Sequence, residues 1–224
     1  MSYVCSCGAE CEQHLAYCPN CMRVGSYQPK VVVRNRTVSK GYTIVSGKEL
    51  LSRARAPETF TGVWADLFGD GFALPAFIVM YGMQGTMKSV TSFRLAHDWG
   101  GKAIYHSVEM GLGPTTQSLL QFAESWDFDL SAPVNWEQLR AASVGYSLVV
   151  IDSLQHLRLS AEAIRSEFVN AGVTVIGVSQ INKDGTTKGG TSYGHEADIV
   201  VEMTGGGGYR FHKHRLGDLK EGKL

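Results

Sequence analysis

The 224-residue chain has no long hydrophobic run, no net charge and no cysteine beyond residue 21. No apolar stretch approaches the ~20 residues that a membrane-spanning helix needs. The first ten residues, MSYVCSCGAE, lack the basic start and the apolar middle of a signal peptide. Cysteines confined to one short segment also differ from the disulfide framework that runs through a secreted fold. We therefore expect a cytoplasmic protein with no membrane partner.

The absence of net charge limits how the chain could attract a polyanion. Lys plus Arg and Asp plus Glu both number 21, so any nucleic acid would have to be held by a local patch. One basic stretch is present, because residues 29–56 contain seven Lys or Arg and the single acid Glu49. The length and the hydrophobic fraction of 44% suit one main domain with a small appendage. We interpret residues 29–56 as a basic linker between the two.

All five cysteines lie in residues 1–28. Two close pairs are separated by ten residues, and each pair can form a turn that directs two thiolates at one ion. A segment of this size has too few apolar residues to form a stable core without a metal ion or another cross-link, so we predict a zinc-binding module. Cys11 is either spare or a replacement for Cys7, His14 is a further candidate ligand, and free or redox-active cysteines are the alternative. The ligands that the spacing favours are Cys5, Cys7, Cys18 and Cys21.

From residue 57 onward, short β-branched runs alternate with amphipathic segments. The near-continuous apolar runs are typical of strands covered on both faces and occupy 77–82, 103–107, 147–152, 173–180 and 198–203. Helical patterns fill the gaps, in 88–98, 114–124, 136–142 and 160–171. This alternation predicts an α/β domain over 57–224 with a mostly parallel central sheet.

Residues 82–89, GMQGTMKS, have the length and ending of the phosphate-binding loop G-x-x-x-x-G-K-[ST], except that Met87 replaces the second glycine. Backbone N–H groups at the start of the following helix would bind phosphates, Lys88 would neutralise the β and γ oxygens, and Ser89 would hold Mg²⁺. If position 87 needs a positive φ, a methionine there should cost about 1 kcal/mol. The predicted nucleotide-binding residues are Gly82, Met83, Gln84, Gly85, Thr86, Met87, Lys88, Ser89 and Val90.

Three other apolar runs lead into a polar residue suited to nucleotide hydrolysis. Glu109 can polarise a water, Asp152 can reach Mg²⁺, and Gln180 can hydrogen-bond a γ-phosphate. Open α/β sheets bind ligands at the carboxyl ends of their strands, so we expect these side chains beside the loop. A plain strand-to-helix turn is the alternative for the loop alone. Four strand ends of matching chemistry argue against that coincidence.

These residues and several longer segments resemble the RecA-type ATPases, most closely the RadA/Sms branch, and are also similar to the DnaB-type helicase core. TFTGVWADLFGDGFALPAFIVMYG is similar to the family's entry into the nucleotide loop. VSQINKDGTTKGGTSYGHEADIVVEM is similar to its stretch from the sensor through a mobile loop to the next strand. HKHRLGD resembles the family's KNRFG motif, with Lys213, Arg215 and Gly217 matching. A four-cysteine zinc module also precedes the core in RadA proteins.

The resemblance implies a RecA-type P-loop ATPase core that uses ATP, Mg²⁺ and Zn²⁺. It makes Glu109 the general base, Asp152 the Mg²⁺ partner alongside Ser89, and Gln180 the γ-phosphate sensor. Two cations from one subunit would reach the site of its neighbour, which implies a homo-oligomer in the form of a hexameric ring or a filament. The implied catalytic set is Lys88, Glu109, Gln180, Lys213 and Arg215.

The same resemblance implies an ATP-dependent motor or remodelling protein that binds single-stranded DNA in recombination, repair or replication, with proteins of those pathways as partners. Lys183 and Lys188, in the polar and glycine-containing loop 182–194, would contact the DNA. A simple flexible loop is the alternative for 182–194, and a solvated basic edge strand is the alternative for residues 210–215.

Two departures from the family narrow these expectations. Only 20 residues separate Asp152 from Val173, where RadA-like proteins carry a longer segment with a first DNA-binding loop, so the resemblance does not imply a DNA contact there. No Lon-like C-terminal domain follows the Lys-x-Arg motif, so we expect no role that depends on it. The alternative functions are a nucleotide-gated adaptor or helicase-loading factor with little turnover, and a signalling ATPase of the same fold that does not bind DNA.

Overall fold

The computed structural model describes residues 3–5, 10–11, 27–29, 48, 60–69, 71–121, 126–181 and 192–224. The chain forms two compact units, Met1–Ala54 and Arg55–Leu224. In the first unit, strand β1 (Tyr3–Cys5) pairs antiparallel with both β2 (Glu10–Cys11) and β3 (Tyr27–Pro29). Of the predicted module 1–28 and linker 29–56, most residues lie outside the described ones.

The second unit alternates strands and helices along the chain. Its strands are β4 (Phe77–Gly82), β5 (Ala103–Ser107), β6 (Asp129–Ser131), β7 (Leu148–Asp152), β8 (Thr174–Gln180), β9 (Ile199–Met203), β10 (Gly208–His214) and β11 (Glu221–Lys223). Its helices are α1 (Gly62–Phe68), α2 (Lys88–His97), α3 (Pro114–Leu120), α4 (Trp136–Ala142), α5 (Ala161–Glu167) and α6 (Ser192–Glu196). Two 3₁₀ turns, Val169–Ala171 and Gly205–Gly207, follow α5 and β9.

The eight strands form one sheet in the order β11-β10-β9-β4-β8-β7-β5-β6. All pairs from β9 to β6 are parallel, whereas β10 is antiparallel to both β9 and β11. The prediction of a mostly parallel α/β sheet is confirmed. The strand bounds also agree with the five predicted runs to within one residue.

Both faces of the sheet are covered, which explains why its strands are apolar at nearly every position. Ile78 and Met80 pack into one cluster with Trp64 of α1 and Phe93 of α2. The alternating residues Phe77 and Val79 pack into a second cluster on the other face. That cluster includes Leu139 of α4, Ile164 of α5 and Phe168, which directly follows α5. Because successive strand side chains point to opposite faces, a strand buried on both sides cannot alternate apolar and polar residues.

Several elements were not predicted from the sequence. Helix α1 has only seven residues, and its Trp64 donates its indole N–H to the Leu95 carbonyl at 2.6 Å, a contact that depends on the tertiary fold. Strand β6 has three residues, too few to give a periodic pattern. The predicted helix 160–171 breaks at Phe168 into α5 and the 3₁₀ turn, which Gly172 ends with φ 96°.

Among the described residues, no helix has the length and apolar character that crossing a membrane requires.

Candidate functional site

The carboxyl ends of four neighbouring strands bring the predicted site residues together. Gly82 pairs with Gln180 across β4 and β8, and Asp152 pairs with Ser107 across β7 and β5. The chain after Ser107 turns back towards Asp152, because the Glu109 N–H donates to the Asp152 carbonyl at 3.0 Å. A cavity of about 330 Å³ lies at this edge of the sheet. Its lining includes residues 84–90, Glu109, Met110, Thr115, Leu119, Asp152 and Gln180.

The loop between β4 and α2 is held by close packing and by local hydrogen bonds. A Cβ added to Gly82 would lie 2.3 Å from the Met203 carbonyl oxygen, so only glycine fits at the start of the loop. Gly85 has φ 81°, a conformation that side chains disfavour. Thr86 Oγ1 donates to the Met83 carbonyl at 2.8 Å and closes the turn. The loop therefore has a defined backbone that a generic strand-to-helix turn would not require.

Met87 lies in the left-handed region, with φ 64° and ψ 16°, immediately before α2 begins at Lys88. Its carbonyl accepts the Thr91 N–H at 2.9 Å, the first bond of the helix. A side chain in this conformation costs roughly 1 kcal/mol or more. Position 87 thus has the positive φ on which the predicted strain depends.

We expect Met87→Gly to raise the free energy of unfolding by up to about 1 kcal/mol and to change nucleotide affinity less than twofold. The strain is already present in the folded loop, so its relief stabilises the fold rather than the complex. The greater freedom of glycine in the unfolded chain offsets part of the gain. Urea denaturation and titration with an ATP analogue measure the two quantities. A large loss of affinity would show that the methionine side chain itself contacts the ligand.

Lys88 is buried at the start of α2, with 7% of its surface exposed. Its Nζ donates to the Gly82 carbonyl at 3.0 Å and to the Met83 carbonyl at 2.7 Å, and lies 3.5 Å from Thr86 Oγ1. Burial lowers the pKa of Lys88, while the carboxylates of Asp152 and Glu109 act in the opposite direction. The ammonium group is therefore directed into the loop, where a phosphate would meet it.

Ser89 and Asp152 form the pair expected to hold Mg²⁺. Ser89 Oγ donates to Asp152 Oδ2 at 2.7 Å, and the same oxygen accepts the Tyr105 hydroxyl at 2.5 Å. Burial raises the pKa of Asp152, and the hydrogen bonds from Tyr105 and Ser89 oppose that rise. A hydroxyl and a carboxylate side by side are hard oxygen donors of the kind that Mg²⁺ prefers, so the residues present fit this ion.

Glu109 and Gln180 are in direct contact. Gln180 Nε2 donates to Oε1 of Glu109 at 2.8 Å and to Oε2 at 2.9 Å. Ser153 Oγ donates to Oε2 as well, at 3.1 Å, and also lies 2.8 Å from Nδ1 of His156. The predicted base and the predicted sensor therefore form one hydrogen-bonded unit beside the loop.

Lys213 and Arg215 lie at the opposite edge of the sheet from the loop. Lys213 pairs with Val200 near the start of β9, and the Arg215 N–H donates to the carbonyl of Asp198, before β9 begins. Since β9 runs parallel to β4, these positions are at the amino ends of the parallel strands. Lys213 Nζ donates to the His195 carbonyl at 2.7 Å and Arg215 to the same carbonyl at 3.2 Å. The structure does not bring the pair to the site of its own chain.

Other predicted residues fall outside the described part of the chain. Lys183 and Lys188 belong to this group, and so do the side chains of the four predicted zinc ligands, Cys5, Cys7, Cys18 and Cys21. Within the residues that the structure describes, no three His, Cys, Asp or Glu side chains are grouped to hold a metal ion. The zinc module and the DNA contacts stay predictions.

Sequence reasoning missed three residues that the structure adds to the site. In the sequence, Tyr105 resembles any other apolar position of a strand, yet its buried hydroxyl contacts Asp152. The sequence signal that could have revealed this contact is that a buried tyrosine needs a polar partner for its hydroxyl. Ser153 and His156 follow β7 and reach Glu109 only because the chain turns there. The backbone N–H of His156 donates to the Ser153 carbonyl at 3.3 Å. Nothing in the spacing of these two residues indicates that contact.

No protein-family model and no curated protein matches the chain.

Proposed function

We propose that the protein is a RecA-type ATPase of the RadA/Sms kind, which hydrolyses ATP between the subunits of a homo-oligomer and acts on single-stranded DNA. The observation that carries this proposal is the convergence at one sheet edge of Lys88, the Ser89–Asp152 pair and the Glu109–Gln180 pair. The left-handed backbone at Met87 adds support, because this conformation favours glycine and the phosphate-binding motif has a glycine at this position.

Glu109 is the group best suited to activate water. Gln180 and Ser153 fix its carboxylate, and one third of the side chain, 33%, is exposed. In the proposed step a water gives a proton to Glu109 while its oxygen bonds to the γ-phosphorus. The bond from that phosphorus to the β–γ bridging oxygen breaks, and ADP and inorganic phosphate result. The proton then passes from Glu109 to solvent.

Lys88, Ser89 and Asp152 would position the phosphates for that step. Lys88 would exchange its contacts with the loop carbonyls for contacts with β and γ oxygens. Ser89 Oγ and Asp152 would hold Mg²⁺, which when bound neutralises charge on the transferred phosphoryl group. Gln180 would divide its amide between Glu109 and a γ-phosphate oxygen, so the two groups would respond to the nucleotide together.

Lys213 and Arg215 support the oligomeric part of the proposal. They are held at the amino edge of the sheet by the carbonyls at the end of α6, and Arg215 Nη1 lies 3.7 Å from Asp198 Oδ1. Partial burial, and then the neighbouring Arg215, lower the pKa of Lys213. Cations at this edge would act on a nucleotide bound to an adjacent subunit, where they would stabilise charge in the transition state.

The test is phosphate release from ATP and Mg²⁺ by the purified full chain, with and without single-stranded DNA. We expect release that DNA stimulates, that Lys88→Ala abolishes, and whose DNA dependence weakens steeply as salt is added, because a protein without net charge binds phosphates through a few local cations. Tight nucleotide binding without release would instead identify a nucleotide-gated adaptor. Release that DNA leaves unchanged would remove the DNA part of the proposal.

Mixing two inactive variants tests whether the site is shared between subunits. Lys88→Ala and Arg215→Ala chains should each be inactive, and their mixture should recover part of the release, since some interfaces then combine an intact Lys88 with an intact Arg215. A chain that carries both substitutions, mixed with Lys88→Ala, is the matched control and should stay inactive. No recovery in the first mixture would contradict a role for Arg215 across an interface.

A further inference from the structure

Three side chains form a chain of contacts that runs from Glu109 to the protein surface. Ser153 follows the last residue of β7 and is fully buried, with 0% of its surface exposed. Its Oγ lies 3.1 Å from Glu109 Oε2 on one side and 2.8 Å from His156 Nδ1 on the other. The side chain of His156 is 45% exposed, so the chain ends at solvent. His156 belongs to none of the motifs that define the nucleotide site.

The chemistry of the three groups fixes the direction of these hydrogen bonds. Serine has one hydroxyl proton and can donate only one strong hydrogen bond. An ionised carboxylate can only accept, so Ser153 must donate to Glu109. Its proton is then no longer available for His156, and the 2.8 Å contact requires Nδ1 of the imidazole to donate to Ser153 Oγ. The ionised form of Glu109 therefore selects an imidazole that carries a proton on Nδ1.

This direction matters for the orientation of Glu109. Gln180 donates to both carboxylate oxygens from the end of β8, and Ser153 donates to Oε2 from the end of β7. Without His156, the Ser153 hydroxyl could rotate away from Glu109, for example towards a backbone carbonyl or water, because within the described part of the chain its Oγ contacts only Glu109 and His156. The imidazole thus keeps the serine proton aimed at the carboxylate.

We propose that His156 is a positioning residue that acts through Ser153 to hold Glu109 in the orientation from which it activates water. The inference rests on the proposed ATPase function and adds a residue and a mechanism of orientation to it. His156 is not among the residues that line the cavity beside the loop. Its effect should therefore fall on the chemical step and not on the binding of nucleotide.

Two substitutions at position 156 separate this role from mere packing. Asparagine can place an amide N–H where Nδ1–H lies, whereas leucine fills a similar volume without a donor. We expect His156→Leu to lower kcat about tenfold with an unchanged Kd for an ATP analogue, as the loss of one orienting hydrogen bond would do. His156→Asn should keep kcat within about twofold of the wild type, since the donor is kept. Equal rates for the wild type and His156→Leu, in a protein that hydrolyses ATP, would overturn the inference and leave the proposed function standing.

The imidazole tautomer gives a second readout that does not depend on turnover. Nitrogen-15 spectra of histidine-labelled protein at about pH 8, assigned by comparison with His156→Asn, distinguish Nδ1–H from Nε2–H. We expect the Nδ1–H form in the wild type and a change towards the commoner Nε2–H form in Ser153→Ala. An Nε2–H tautomer in the wild type would overturn the inference even if ATP is hydrolysed. A correct tautomer in a protein that releases no phosphate would instead count against the proposed function.

Discussion

Replacing Glu109 with glutamine should lower kcat for ATP hydrolysis by about 10²–10⁴-fold, the usual range for loss of a general base. The amide has nearly the same shape as the carboxylate but cannot accept the proton of the attacking water. Because Lys88, Ser89 and Asp152 are untouched, affinity for an ATP analogue should stay within about threefold of the wild type. Single-turnover phosphate release and equilibrium titration with the analogue measure the two effects.

Glu162→Gln is the matched control for that variant. Glu162 lies exposed in the first turn of α5 and does not line the cavity. Its replacement by glutamine removes one negative charge, as Glu109→Gln does. We expect it to hydrolyse ATP at the wild-type rate. If Glu109→Gln were as active as this control, Glu109 could not be the base, and the water would have to be activated by another group.

The second large effect is expected on stability, at His106. This histidine is fully buried on β5, where Nδ1 lies 2.6 Å from Ser131 Oγ and Nε2 lies 2.8 Å from Ser143 Oγ. Ser143 Oγ in turn donates to the Leu139 carbonyl, so it accepts from Nε2–H. Burial lowers the pKa of His106 to about 4. A neutral ring with a partner at each nitrogen suits this position, whereas an imidazolium would be buried without a compensating charge.

The direction of the pH effect follows from the two pKa values. In the unfolded chain His106 has an ordinary pKa of about 6.5, so the unfolded state takes up a proton first as the pH falls. The free energy of unfolding therefore decreases between about pH 6.5 and about pH 4, and the full stabilisation is present above that window. The difference in pKa corresponds to about 3 kcal/mol from this residue alone.

Urea denaturation followed by tryptophan fluorescence at about pH 7 and about pH 4.5 tests this expectation, because most of the loss from His106 falls between those two values. His106→Gln should lose clearly less stability over that interval than the wild type, whatever its absolute stability. The control is His195→Gln, which changes an exposed histidine in α6 and should keep the wild-type dependence. An unchanged dependence in His106→Gln would mean that folding does not lower the pKa of His106.

The sequence predicted the parts of the fold that leave a periodic or continuous pattern. The run FIVMYG became β4 with its predicted bounds, because a strand covered on both faces must be apolar at successive positions. The grouping of Gly82, Glu109, Asp152 and Gln180 could also be expected, since the carboxyl ends of parallel strands meet at one edge. Those placements needed only strand order and direction.

The rest depended on contacts between distant parts of the chain. Tyr105 could not be assigned to Asp152 from the sequence, because they are 47 residues apart and meet only through the pairing of β5 with β7. The link from His156 through Ser153 to Glu109 depends on a turn that no pattern marks. The position of Lys213 at the far edge likewise required the antiparallel register of β10 on β9.

The left-handed backbone at Met87 bears on how the loop recognises its ligand. With φ 64° at Met87 and the Thr86 hydroxyl already closing the turn, the loop loses its backbone freedom when the protein folds. Binding would then require little further ordering of the main chain, and preorganisation of this kind favours affinity. Within the loop, Lys88 would change partners, leaving the Gly82 and Met83 carbonyls for a phosphate oxygen. Recognition would thus consist of side-chain exchanges around a main chain that is already in place.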